Sequence, residues 1–82
     1  MKALIYVTLK PSVLDPQGKA VRGGLHSLGF METEDVRVGK YIELTLAGTD
    51  RDQAEARVRQ MCEKLLANTV IEQYRFEIVG VE

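Results

Sequence analysis

The sequence predicts an α+β fold in two layers, an antiparallel sheet with two helices on one of its faces. Three observations carry the prediction. Residues near both ends alternate apolar and polar with the period of two that a half-buried strand requires. Two internal segments repeat their apolar residues at helical spacing instead, and each opens on an aspartate placed to cap it. A third strand-like stretch lies between them, interrupted by a glycine. The order is β-α-β-β-α-β if that stretch turns back on itself, or β-α-β-α-β if it only bends. The 82 residues make a single domain, 1–82, with no linker, repeat or low-complexity segment.

The first strand covers residues 2–10. Ala3, Ile5, Val7 and Leu9 lie on one face and Leu4, Tyr6, Thr8 and Lys10 on the other. Pro11 ends it, because proline cannot donate to a ladder. Asp15-Pro16 then reads as N-cap followed by N1. The first helix runs to Leu28, with Ala20, Val21, Gly24, Leu25 and Leu28 as its buried stripe and Gly29 just past its end. Gly24 on that stripe predicts close contact with the sheet. Gly23 has no such reason, and each glycine costs about 0.5–1 kcal/mol in a helix interior.

Residues 34–47 form the middle stretch, with Val36, Val38, Ile42, Leu44 and Leu46 on one parity. A three-residue turn at Val38–Lys40 would set Val36 opposite Ile42 and keep the apolar face intact. A single strand bent at Gly39 preserves parity equally well. Asp50 with Gln53 resembles a capping box at the start of the second helix. Ala54, Val58, Met61, Cys62, Leu65 and Leu66 make its buried stripe, and Glu55–Arg59 and Arg59–Glu63 are i,i+4 pairs on its wet side. Asn68 suits a left-handed cap. The last strand covers 72–79, with Tyr74, Phe76 and Ile78 facing one way.

These elements assemble as a ferredoxin-like plait, which leaves the second sheet face bare. That face carries Leu4, Tyr6, Thr8, Tyr41, Glu43, Thr45, Arg75, Glu77 and Val79. The mixture is too apolar for a wet face and too polar for a core, which is the character of a subunit interface. Self-association is expected.

Composition narrows the function. Hydrophobic content of 45% with 28% charge is ordinary for a globular protein. The net charge of −1 argues against nucleic acid or an anionic membrane as the main partner. One cysteine forms no internal disulfide, and the N-terminus has no signal-peptide core, so the expected location is the cytoplasm. No apolar run approaches the ~20 residues of a membrane span.

No catalytic, cofactor or metal site emerges. Cys62 shares a stripe with Val58, Met61 and Leu65 and reads as an inert core thiol. His26 is on the solvent side of the first helix with no second ligand spaced to help it. Asp50, Asp52 and Glu55 complement a helix dipole. The Asp15–Gly18 segment beside Lys10 has the position of a phosphate loop, but a carboxylate at the N-cap repels phosphate. An RNA-binding plait would need stacking aromatics where Val38–Leu44 offers only Tyr41. A metal-chaperone plait would need a C-x-x-C pair. A regulatory plait that binds a small molecule at a dimer edge remains the alternative.

Three segments carry a family resemblance: Leu9–Val21, Val36–Leu44 and Cys62–Ile78. Together, in this order and spacing, they resemble the small (PurS-type) subunit of phosphoribosylformylglycinamidine synthase. The Gly23-Gly24 pair is less typical of that family. The resemblance implies a subunit with no active site of its own, usually dimeric, that bridges a large ligase subunit and a glutaminase subunit. In that complex glutamine supplies ammonia. The large subunit uses ATP and magnesium to activate the amide oxygen of formylglycinamide ribonucleotide, and ammonia displaces it to give the amidine. No cofactor is expected on the small subunit. The basic segment Arg37, Lys40 and Tyr41, read as solvent-facing, is the first candidate for docking the partners. Lys10 with Asp15, Gln17 and Gly18 is the second.

Overall fold

The computed structural model describes residues 1–80. Three strands form one sheet in the order β2-β1-β3, with β1 at Lys2–Leu9, β2 at Lys40–Thr45 and β3 at Glu72–Val79. Both pairings are antiparallel. The most apolar strand takes the centre, where its backbone is bonded on both edges and Ala3, Ile5 and Val7 lose all contact with solvent. Ile5 sits between Ile42 and Phe76, and Ala3 between Leu44 and Ile78, so the expected parity of all three strands holds. The helix α2, Arg51–Met61, crosses over β1 to connect β2 with β3. Ala54, Val58 and Cys62 from this side complete a small core with Ile78 and Ala67.

The antiparallel plait and its two helices are as expected, but the middle stretch forms one strand. Residues 34–39 have no ladder, so the described elements run β-α-β-α-β. At Gly39 a side chain would run into the Val7 carbonyl and the Thr8 side chain, so the chain passes tightly over the end of β1 as it enters β2.

The helix α1, Pro16–Ser27, corrects the sequence reading most. Both ends are built as predicted. Asp15 Oδ1 accepts from the Gly18 amide at 2.9 Å, and Pro16 stands at N1. At the other end Gly29 adopts φ 98°, and the Phe30 and Gly29 amides bond back to the Leu25 and His26 carbonyls, a Schellman closure. The expected packing on the sheet is absent. Ala20, Val21, Gly24 and Leu28 are exposed and Leu25 is half-buried. Nothing approaches within 4 Å of where a side chain would begin at Gly23 or Gly24. The helix and the segment returning from it instead project as an arm. The Cα radius of gyration is 16.2 Å and the principal extents are 48 × 28 × 14 Å, against about 12 Å for a compact chain of this length.

Smaller corrections follow from local geometry. The chain leaves α2 through a π-helical turn, Cys62–Leu66, closed by the Ala67 amide on the Cys62 carbonyl. The wider turn rotates the residues after it, so Leu65 points into solvent and Ala67 is buried. Asn68 has no left-handed backbone. Its Oδ1 accepts from the Val70 amide and its own amide donates to Glu72 Oε1 at 2.7 Å, so it organises the turn through its side chain. Glu55 pairs with Arg51 at 3.6 Å, and the Arg59 guanidinium lies over the Phe76 ring rather than beside Glu55 or Glu63. His26 is half-buried, its Nε2 donating to the Thr33 carbonyl at 2.8 Å, which ties α1 to the returning segment.

Candidate functional site

The residues singled out for docking fall into two groups with different roles. The first is a clasp at the root of the arm. Asp15 is nearly buried, at 5% exposure. Its Oδ1 binds the Gly18 amide and its Oδ2 accepts from the Val38 amide at 2.8 Å. These hydrogen bonds, the Gly18 one first, hold its carboxyl below the usual carboxylate range, so it stays ionised. Gly18 is buried against the returning segment, where a Cβ would collide with the Val36 carbonyl oxygen. Arg37 closes the clasp. Its Nη2 donates to the Lys10 carbonyl at 3.0 Å and to the Val13 carbonyl at 2.9 Å. Although exposed, Arg37 is therefore bound rather than a free cation at a basic tip. Lys10 contributes its carbonyl, and Gln17 is exposed in the first turn of α1.

The second group faces outward from the sheet or its end. Lys40 reaches Glu72 at 3.4 Å across the end of β1. Tyr41 is 54% exposed and packs against Tyr6 with ring centroids 5.3 Å apart. The Tyr41 hydroxyl donates to Glu43 Oε1, and desolvation with that carboxylate nearby raises its pKa. Tyr6 donates to Glu77 Oε1, and Arg75 stacks over the Tyr6 ring at 4.0 Å. Tyr41, Tyr6 and Arg75 thus form a row across three strands, set by the register. Beside it lies an open cleft of about 540 Å³ whose walls include Thr8, Lys40 and Gln73. Sequence parity put Tyr6 and Arg75 on this face, but only the pairing register joins them to Tyr41.

The remaining candidates take the bland roles expected. Cys62 is fully buried and burial pushes its thiol up, away from the reactive thiolate. Asp50 caps α2 through the Gln53 amide. What the arrangement offers is contact: an aromatic, mixed-charge sheet face and an arm with Val21, Leu28, Phe30 and Met31 exposed. Helical spacing puts Val21 and Leu28 on a buried stripe, and their exposure, like that of Phe30 and Met31, follows from the helix leaving the sheet.

The sequence pattern that defines the family described as "PurS: Phosphoribosylformylglycinamidine (FGAM) synthase" matches residues 2–80. The chain belongs to the PurS family. A Bacillus subtilis relative, phosphoribosylformylglycinamidine synthase subunit PurS, is 60% identical over 80 residues, covering 98% of this chain and 94% of that protein. The solved B. subtilis PurS structure in the C2 crystal form has a TM-score of 0.85 at 58% identity, with 96% of this chain and 98% of that one aligned. A chain of the Thermotoga maritima PurLQS structure has a TM-score of 0.86 at 29% identity, covering 95% of each chain. PurS membership does not favour the alternative of a small-molecule-binding regulatory plait. Among the described residues no helix is long and apolar enough to cross a membrane.

Proposed function

We propose that this chain is the non-catalytic bridging subunit of a phosphoribosylformylglycinamidine synthase, acting in purine biosynthesis in the cytoplasm. It joins copies of itself, a large ligase subunit and a glutaminase subunit, and it helps assemble the path that carries ammonia from one active site to the other. ATP and magnesium act on the ligase subunit, and no cofactor sits on this chain.

The observation that supports this most directly is the likeness of nearly the whole chain to one chain of the PurLQS assembly. The chemistry of the surface agrees with it. The only thiol is sealed in the core, whereas the aromatic sheet face and the apolar arm are presented to solvent. Bridging requires two contact surfaces, and the apolar arm and the outer sheet face supply them in a chain 48 Å long.

Tyr41 and Arg75 are the docking residues to test, with Lys40 beside them. Arg37, Asp15 and Gly18 act on docking through the position of the arm. The experiment is synthesis of the amidine by purified partner subunits, driven either by glutamine or by free ammonia. Glutamine-driven synthesis is expected to require this chain, and ammonia-driven synthesis to depend on it less. The chain alone is expected to show neither glutaminase nor ATPase activity. Full glutamine-driven turnover without the chain would overturn the proposal.

A further inference from the structure

We infer that the free edge of β3 takes up an extended, acidic segment of a larger subunit as a fourth strand, with Arg59 and Arg75 gripping its carboxylates from the two faces of the sheet. The inference rests on the bridging function proposed above, and names a surface and the chemistry of its partner.

The register shows which backbone groups of β3 are free. Just beyond the strand ends the Lys10 amide donates to the Ile71 carbonyl at 2.9 Å. Bonded pairs recur at every second residue of an antiparallel ladder. Thr8–Gln73, Tyr6–Arg75 and Leu4–Glu77 are therefore the bonded pairs between β1 and β3. The amides and carbonyls of Tyr74, Phe76 and Ile78 point away from β1. Because β3 is the last strand of the sheet, no described segment of the chain bonds to that side.

Native proteins blunt such edges with a short strand, a proline, a bulge or an inward-pointing charge. The strand β3 is eight residues long, contains no proline and keeps one unbroken register with β1. Glu72 at its start is neutralised by Lys40. Beyond it the inward side chains are Tyr74, Phe76 and Ile78. The edge is left open to pairing.

Two cations flank it. Arg59 lies over the Phe76 ring at 5.4 Å on the inner face, and Arg75 lies over the Tyr6 ring at 4.0 Å on the outer face. Stacking orients each planar guanidinium and leaves its N–H fork available to a carboxylate. Among the described residues neither makes an ion pair. With Tyr74 and Phe76 they wall an open groove of about 460 Å³ along the edge. The one carboxylate in that wall, Glu55, is held by Arg51 at 3.6 Å. The groove is thus positive where the backbone is free.

Consecutive residues of an added strand point to opposite faces. One acidic residue reaches Arg75 and its neighbour reaches Arg59, so the segment carries two adjacent acidic residues. A second copy of β3 fits worse. Its two longest self-pairings are centred on Arg75 and on Phe76. The first opposes two Arg75 side chains, and like charges directly opposite are unfavourable. The second sets Arg75 against Glu77 but brings two Arg59 guanidiniums over adjacent Phe76 rings.

The test is amide hydrogen exchange of the full chain, alone and assembled with the purified ligase and glutaminase subunits. Exchange is quenched, the subunits are separated, and the chain is read residue by residue by NMR. The Tyr74 and Phe76 amides are expected to exchange fast in the chain alone and to slow by roughly tenfold or more on assembly. Gln73 and Arg75, already bonded to β1, should change much less. Equal exchange at Tyr74 and Phe76 in both states would overturn the inference. Full protection of both in the chain alone would show that a second copy covers the edge, and would also overturn it. As a second measurement, Arg59→Gln/Arg75→Gln should keep the circular dichroism of the native fold and weaken assembly by about tenfold or more. Assembly as tight as the parent's would overturn the acidic partner. Amidine synthesis is read separately. Protected amides without any requirement for the chain in glutamine-driven synthesis remove the functional reading alone. A requirement for the chain with unprotected amides removes the strand addition alone.

Discussion

Asp15 uses both carboxylate oxygens on backbone amides, Gly18 in its own helix and Val38 across the loop. Because the folded carboxyl lies below its ordinary value, its contribution is present above the unfolded value near pH ~4 and fades as pH falls through the lower folded one. Asp15→Asn should therefore be less stable than the parent at neutral pH, with the gap in urea midpoint closing as pH drops below about 4. A gap that stays constant from pH 7 to pH 2 would show that the charge contributes nothing. Cys62 gives a second prediction at this scale. Cys62→Ser places a hydroxyl in the dry core without a partner and should cost about 1–3 kcal/mol in denaturant unfolding. Glutamine-driven turnover per folded molecule should be unchanged. The core role of Cys62 was legible because helical spacing put it among apolar neighbours. The clasp role of Arg37 was not, because its acceptors at Lys10 and Val13 are more than twenty residues away and are carbonyls that no side-chain pattern reveals.

At the level of elements, the helix α1 is defined by its ends and its direction is defined by Gly18. A methyl there meets the Val36 carbonyl and the Asp15 carboxylate, both fixed. Gly18→Ala should destabilise by roughly 1–3 kcal/mol through overpacking and weaken assembly by tilting the arm. Gly23→Ala meets open space and should stabilise by about 0.5–1 kcal/mol. Thermal unfolding of the two variants side by side checks the contrast, and equal shifts would refute the assigned contact. The same comparison explains why the second helix was read well to Cys62 and poorly beyond. Periodicity assumes 3.6 residues per turn, and the π-helical turn at Cys62–Leu66 breaks that count, exchanging Leu65 for Ala67 on the buried side.

On the scale of the whole molecule, a chain 14 Å thin and 48 Å long buries few side chains completely, among them Ile5, Val7, Val58 and Cys62. Such a core gives a marginal monomer. Stability should then depend on concentration, rising by about 1.4 kcal/mol of apparent free energy for each tenfold increase in protein where dimer and unfolded chain dominate. Unfolding midpoints measured over a hundredfold range of concentration test this, and a midpoint that does not move would mean that the monomer stands alone. Docking to the larger subunits is a separate property. Tyr41→Ser, on the outer face, should leave unfolding nearly unchanged and weaken assembly followed by gel filtration.

The sequence by itself determined the two helices with their aspartate N-caps, the Gly29 closure of the first, the face of every strand and the family. Those features are local or periodic: Asp15-Pro16, Gly29, the alternation of Ala3, Ile5 and Val7, and three segments of characteristic residues. Tertiary structure alone decided that the stripe of α1 does not lie on its own sheet, that residues 34–39 make no strand, and that Tyr41, Tyr6 and Arg75 stand in one row. An amphipathic pattern says only that a face will be covered. The identity of the covering surface depends on where the loop hydrogen bonds of Asp15 and Arg37 send the helix, and those join residues far apart in the chain.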